Sequence, residues 1–338
     1  MTDVARLAGV SVQTVSRVVN DHPNVAPQVR ERVRTAMHQL RYRRNRAARS
    51  LATQRSMSIG VVCYGLAQHG PSEALTGIVA SAREAGYTTN LVAVGTLDAA
   101  SLRAALAYLA DDRVDGIVLL APVEAAARAT RGLPSDVPVV VFEPGGTPGP
   151  TTFAADEALG ARMATEHLLR LGHTSVLHLS GPVGWLATEA RARGWREALD
   201  TAGAPAADPI PTRWDAASGF AAAGTVATRA DVTAVFVAND QTALGLVRGL
   251  HDHGVRVPAD VAVVGFDDHP QSAYFHPALT TVRVDFPALG RLAVTKVLAL
   301  VAGGTAAGLP ADAPVVPELL VRESCGPPPA RPREHPLT

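Results

Sequence analysis

The sequence predicts an α/β protein of more than one domain: a three-helix head, a short hinge helix, and a core of two doubly wound parallel-sheet lobes. Three observations predict it. Length comes first, since 338 residues exceed what one ordinary hydrophobic core organises. From residue 58 onward, β-branched runs such as IGVVC, GIVLL and VPVVVFE alternate with alanine-rich amphipathic stretches, as in βαβ units whose strands are buried on both faces. This alternation breaks at a Gly/Pro-rich connector, Pro144 to Pro150, and then resumes, implying two similar halves.

In the head, a first helix is expected from about Asp3 to Ala8, with Thr2 or Asp3 as cap, Val4, Leu7 and Ala8 on one face, and Gly9 as terminator. Ser11 suits the cap of a second helix, Val12 to Asn20, with Val15, Val18 and Val19 inward. A third starts at Pro27, a favoured first-turn residue, and runs to Leu40 with Val29, Val33, Met37 and Leu40 inward. Residues 45–53, NRAARSLAT, are helix-compatible but too short to stand alone, so they need a partner to fold. The first half of the core then carries helices near 72–85 and 97–110. The second half carries helices at 156–171, 186–202 and 240–253 among the strands SVLHLSG, AVFVAND and VAVVGFDD. The segment after residue 323, SCGPPPARPREHPLT, is proline-rich and is expected to be disordered. The expected boundaries are 1–44 for the head, 45–57 for the hinge and linker, 58–323 for the core and 324–338 for the tail.

The net charge is zero, but it is unevenly spread. Residues 1–60 hold 11 arginines against three acids, Asp3, Asp21 and Glu31, leaving the remainder of the chain acidic. A basic head on an acidic body suits a polyanion bound at the head, because neutralising phosphates supplies most non-specific affinity for nucleic acid. No apolar run approaches the roughly 18 residues that span a bilayer, and MTDVARLAGV lacks the form of a signal peptide. Cys63 and Cys325 have no metal-ligand spacing around them. The expectation is a cytoplasmic, nucleoid-associated protein with no membrane partner, no cofactor and no metal.

Gly9-Val10-Ser11 between two short helices is a helix-turn-helix arrangement, whose second helix enters the major groove. Gln13 and Arg17, four residues apart, can each bond one base at two points, to adenine and guanine respectively. Ser11, Thr14, Ser16 and Asn20 suit phosphate contacts. The alternative is a polar face turned to solvent.

The segment DVARLAGVSVQTVSRVVN resembles the head of the LacI/GalR family of transcriptional regulators, and the likeness continues in order to about residue 323 through ARARGW, RWDAASGF, VANDQTALG, VVGFDD and PALTTVRVDFPALG. The resemblance implies a periplasmic-binding-protein-like core and DNA contacts from Ser11, Val12, Gln13, Thr14, Ser16, Arg17 and Asn20. It also implies that Asn45, Ala48 and Leu51 lie on a hinge helix in the minor groove, with Leu51 wedged into a base step; otherwise Leu51 is a linker residue packed on the core. Arg44 stands where the family usually has proline, Ala26 replaces a serine cap, and Val29 a threonine. The sequence starts almost at the first helix, which implies weaker DNA binding or a true start upstream of Met1.

Residues that follow strand ends converge where open parallel sheets bind ligands. There the resemblance implies sugar-hydroxyl partners at Arg191, Asn239 and Asp267, aromatic walls at Trp214 and Phe286, and a mouth formed by Gln68, His69, Gly70 and Pro71. Glu143 and Val284 take the places of an aspartate and a glutamine, which puts the sugar's identity in doubt. Asp267 and Arg191 could instead be a buried ion pair.

The function so implied is that of a homodimeric repressor bound to double-stranded operator DNA and released by a saccharide effector such as a galactoside. A purine-responsive member of the family is an alternative, and a stand-alone sugar-binding transport protein is another. No Gly-x-Ser-x-Gly, phosphate-loop or His-Glu-x-x-His motif supports an enzyme. His251-Asp252-His253 ends a helix, where cationic side chains are expected anyway. The tail has five prolines after Cys325 and one leucine, so no coiled-coil seam can join two dimers. The stripe Leu75, Ile78, Val79 and Ala82 is the expected subunit surface unless its own lobe covers it.

Overall fold

The computed structural model describes residues 1–19, 22–42, 55–130, 137–145, 149–304 and 313–330, in two compact units, 1–56 and 57–338. The first unit holds α1 (Thr2–Ala8), α2 (Val12–Val19) and α3 (Pro27–Gln39). Its core is made of small apolar side chains, Val4, Ala5, Ala8, Val15, Val18, Val33 and Ala36, so the three short helices approach closely. Gly9 closes α1 in the left-handed conformation at φ 64°, which glycine adopts without penalty. Two expectations fail in this unit. Thr2 lies inside α1, with Met1 at the cap position. Leu7 and Leu40 are 51% and 43% exposed. The buried stripe of α1 is Val4, Ala5 and Ala8, and a helix advancing about 100° per residue turns Leu7 away from it.

The second unit has two sheets. The N-lobe sheet contains β1 (Ser58–Cys63), β2 (Thr88–Ala93), β3 (Gly116–Leu120), β4 (Val139–Phe142) and β5 (Thr152–Phe153), in the order β2-β1-β3-β4-β5 and all parallel. Around it lie α4 (His69–Glu84), α5 (Ala99–Asp111) and α6 (Glu124–Ala129). The C-lobe sheet contains β6 (Leu177–Ser180), β7 (Ile210–Pro211), β8 (Ala234–Val237), β9 (Ala262–Asp267), β10 (Thr280–Arg283) and β11 (Glu318–Leu320). Its order is β11-β10-β9-β8-β6-β7, parallel except between β10 and β11. Helices α7 (Glu157–Arg170), α8 (Leu186–Ala202), α9 (Ala216–Ala227) and α10 (Asp240–Asp252) flank it.

The connector at 144–150 does not divide the lobes, because β5 follows it and still pairs with β4. After β10 the chain crosses back as α11 (Phe286–Val301), which packs on α4, and then returns as β11. The α4–α11 contact is close enough that a Cβ at Gly77 would strike the Pro287 carbonyl, and one at Gly290 the Ala74 carbonyl. This contact covers half of the stripe expected at the subunit surface. Ile78 and Ala82 are fully buried in their own lobe, Leu75 is half-buried, and Val79 alone of the four is exposed, at 42%.

Residues 324–330, expected to be disordered, are packed. Ser324 Oγ donates to Val263 O at 2.7 Å and accepts Thr280 N–H at 2.8 Å, and His173 Nε2 donates to Gly326 O at 2.9 Å. Proline-rich composition removes N–H donors but leaves carbonyls and side chains for such an extended segment to use. Residues 331–338 lie outside the described residues, so the rest of that expectation does too.

Candidate nucleic-acid interface and ligand cleft

In the head, Ser11 caps α2 as expected: its Oγ accepts Thr14 N–H at 3.1 Å and lies 2.9 Å from Thr14 Oγ1. The α2 stripe of Val15 and Val18 is buried, which leaves Val12, Gln13 and Arg17 exposed on the other side. Thr14 and Ser16 are half-buried. Asn20, Asn45, Ala48 and Leu51 lie outside the described residues.

In the second unit, the strand order of each sheet reverses beside a central strand, at β1/β3 in the N-lobe and β6/β8 in the C-lobe. Open α/β sheets bind ligands beyond the carboxyl ends of such strands, and the two switch points face one cleft. Eight of the expected residues line it: Gln68, Gly70, Pro71, Arg191, Trp214, Asn239, Asp267 and Phe286. Its empty volume is about 620 Å³ including the open mouth.

At the polar wall, the buried Arg191 guanidinium donates from Nε to Glu157 Oε2 at 2.7 Å, from Nη2 to Asp267 Oδ1 at 3.2 Å, and from Nη1 to Ala238 O. The buried ion pair weighed from sequence therefore exists, and Glu157 completes it as a second carboxylate. Burial pushes the Asp267 carboxyl up to about 7; Arg191 opposes the shift, while Asp240 and Glu157 add to it. One guanidinium shared between two carboxylates cannot neutralise both, which favours the protonated form of Asp267. Neighbouring Asp240 is raised to about 6, again by burial, although it accepts bonds from Ser272 Oγ, Thr281 Oγ1 and His269 N–H. These bonds hold the 268–272 turn behind the cleft.

Asn239 does two things at once. Its Oδ1 caps α10 by accepting Thr242 N–H at 2.9 Å, and its Nδ2 donates to Trp214 O at 3.1 Å. That second bond fixes a strained residue, since Trp214 sits at φ 64° and Asp267 at φ 100°, conformations that cost on the order of 1–3 kcal/mol each outside glycine. Trp214 is buried against Gly181, where any Cβ would collide with its ring, and its Nε1 donor has no partner among the described residues. The Arg191 guanidinium carbon lies 5.4 Å from the Trp214 ring centroid. The apolar wall comes from Phe142, Phe286, Leu120 and Pro122, with Gly70 leaving room for the Phe286 ring.

Three expected residues are not in the lining. His69 packs its ring against those of His269 and Phe286 instead. Glu143 extends the pairing of β4, its N–H bonded to Phe153 O at 3.0 Å, and alternation along an extended strand gives the cleft position to Phe142 instead. Val284 is buried in the hydrophobic core, where its apolar side chain is satisfied without a ligand. Sequence reasoning missed Glu157 and Trp185. Trp185 carried a usable signal, an aromatic residue a few positions beyond the glycine that ends a strand. Glu157 carried none, because a glutamate in the first turn of a helix is ordinary. Among the described residues, no group of three His, Cys, Asp or Glu side chains is arranged to hold a metal ion, and no helix is long and apolar enough to cross a membrane.

Residues 1–45 match the model of bacterial regulatory proteins, lacI family, and residues 165–325 match a periplasmic binding protein-like domain. The lactose operon repressor of Escherichia coli (strain K12) is 36% identical over 90% of this chain and 86% of its own length. The chain belongs to the lacI family. Within this family it is also 34% identical, over 83% of the chain and 85% of the relative, to the transcriptional repressor PurR of Vibrio parahaemolyticus. The lac repressor dimer bound to operator and the anti-inducer ONPF superposes with a TM-score of 0.87 at 34% identity, covering 96% of this chain and 98% of that one. The transcriptional regulator CelR in complex with cellobiose does so at 0.70 and 30%, covering 95% and 98%. Like these relatives, the lacI-family chain couples a helix-turn-helix head to an α/β ligand-binding core and is a DNA-binding transcriptional regulator.

Proposed function

We propose that this lacI-family regulator is a cytoplasmic, homodimeric repressor without catalytic activity, which binds operator DNA and is released by a neutral saccharide held in the cleft. One observation carries the effector reading: Arg191, Asp267 and Asn239 converge with the indole of Trp214 in one cleft at the strand ends. Edge-on polar groups suit sugar hydroxyls, and the flat indole suits a C–H face. Relatives whose structures hold ONPF or cellobiose support it. Gln13 and Arg17 are the proposed base readers, with Ser11, Val12, Thr14, Ser16 and Asn20 beside them, and Asn45, Ala48 and Leu51 are the proposed minor-groove contacts.

A dimer is required by this reading because one head covers only a half-site. The coupling between cleft and DNA should be about 1–3 kcal/mol, the usual size for two linked sites. The experiment is to sequence the DNA that the protein retains from random duplexes, then titrate that DNA with galactosides, glucosides and purines. Saccharide-dependent release is expected. A response to purines alone, whether release or tighter retention, would overturn the saccharide reading and favour a purine effector. On the same DNA, Arg17→Ala should cost roughly 1–3 kcal/mol and flatten sequence discrimination. Equal losses on cognate and random duplexes would remove Arg17 from base reading.

A further inference from the structure

Resting on the saccharide reading, we infer that the cleft has a second ring-binding subsite built on Trp185, and that the effector is a glycoside of at least two sugar rings, the second stacked on that indole. The aromatic wall of the cleft is longer than the polar one. From the Arg191 guanidinium it is 5.4 Å to the Trp214 centroid and a further 6.0 Å to Trp185, both of which line the cleft, while Tyr64 backs Trp185 from outside the lining at 5.8 Å. A single pyranose held by Arg191, Asp267 and Asn239 can cover Trp214 but not reach along the whole of this row. Trp185 lines the same cleft and is only half-buried. Its contacts with Tyr64 and Trp214 are both edge-to-face, at 63° and 67°, so it is not sandwiched between parallel rings. A half-exposed indole in a cleft is a usual platform for an apolar ring, and a sugar presents such a ring face through its axial C–H groups.

The chemistry of the polar wall points the same way. Three of Arg191's five donors already serve Glu157, Asp267 and Ala238 O, so the guanidinium has few left for ligand hydroxyls. Affinity must then come substantially from ring stacking.

The position of Trp185 also bears on the response. It stands on the β6–α8 loop of the C-lobe, yet its backbone bridges Val123 of the N-lobe, and the next amide, Leu186 N–H, donates to Pro122 O at 3.0 Å. A ring stacked there lies against the seam between the lobes, where a monosaccharide confined to the polar wall does not reach.

Calorimetry on the full-length protein tests the subsite with galactose, glucose, lactose and cellobiose, with p-nitrophenyl β-galactoside as an arm that separates an aryl group from a second sugar. The wild type should bind one disaccharide about five- to tenfold more tightly than the monosaccharide it contains. In Trp185→Ser the ratio of disaccharide to monosaccharide affinity should fall to about twofold or less, whatever loss the two ligands share. Trp185→Phe should retain part of the preference, and it covers the case in which the serine variant is poorly folded. A wild type that binds monosaccharide and disaccharide alike, or a preference that survives Trp185→Ser, overturns the subsite alone. An aryl glycoside favoured over both disaccharides overturns the second sugar as occupant. Absence of binding by all five compounds overturns the saccharide reading and the subsite with it.

Discussion

The C-lobe gives the cleft Glu157, Arg191, Asn239 and Asp267, a set bonded internally and to backbone, together with two tryptophans. The N-lobe side, including α11, gives Gly70, Pro71, Ala74, Leu120, Pro122, Phe142, Phe286 and Leu289, with Gln68 as its one polar side chain. One lobe thus holds a preorganised polar wall whose geometry is set before any ligand arrives, and the other a smooth apolar wall that matches shape. On the saccharide reading, hydroxyl recognition belongs to the C-lobe, while the N-lobe meets the ligand through its shape and Gln68.

The largest expected effect comes from dismantling the polar wall. Arg191→Met leaves two buried carboxylates without their countercharge, a situation that costs about 3–5 kcal/mol. Thermal unfolding of the variant should show a matching loss, and ligand binding should vanish. A near-normal melting temperature would mean that the wall is not the organiser of its lobe.

The C-lobe should also be the acid-sensitive one. His178 is fully buried against Phe236 and Trp195, donates from Nδ1 to Phe236 O, and is pushed by burial down from 6.5 to about 4. A histidine buried in its neutral form stabilises the fold fully above pH 6.5 and loses that contribution as the pH falls toward about 4. The loss amounts to roughly 3 kcal/mol. Asp267 and Asp240, both raised, act in the opposite sense, their contribution present at low pH and lost as pH rises through about 7 and about 6. The measurement is therefore a difference: relative to wild type, His178→Phe should gain stability steadily between pH 6.5 and 4 in urea titrations. A constant difference across that window would show that the imidazole does not titrate with folding.

The N-lobe is tested by added volume. Gly77→Ala forces a methyl into the Pro287 carbonyl, so α4 and α11 must separate, at about 1–3 kcal/mol. Urea unfolding should register it while the polar wall's pH profile is unchanged. Gly70→Ala is the smallest change: its Cβ would lie 3.0 Å from the Phe286 ring, which must shift by a few tenths of an ångström. A loss of about two- to fivefold in effector affinity, with little change in stability, is expected from a displaced wall. Unaltered affinity would mean that Phe286 does not touch the ligand.

The fold was legible because its signals are periodic: helical stripes in the head, and buried strands alternating with helices in the core. Leu7 and Leu40 were misplaced because hydrophobicity alone does not say which small residues, here Ala5 and Ala36, form the contact in a very small core. The return of α11 to the N-lobe could not be read at all, since a helix after a strand looks the same whichever lobe it covers. At the cleft, Arg191, Asn239 and Asp267 came from the family resemblance, and their places at strand ends or on the helix that follows one agree with it. Glu143 falls outside the lining and Phe142 inside it, because in an extended strand one position is the opposite face.

That return of α11 has a consequence for synthesis on the ribosome. The strands of the N-lobe are complete at Phe153, but the helix that covers Ile78 and Ala74 begins only at Phe286, about 130 residues later. At ~5–20 residues per second this is roughly 7–27 s during which a nascent apolar face has no cover. The half made first thus waits for a helix made long after it, and the interval is an opening for chaperones, for aggregation, or for capture by a second nascent chain.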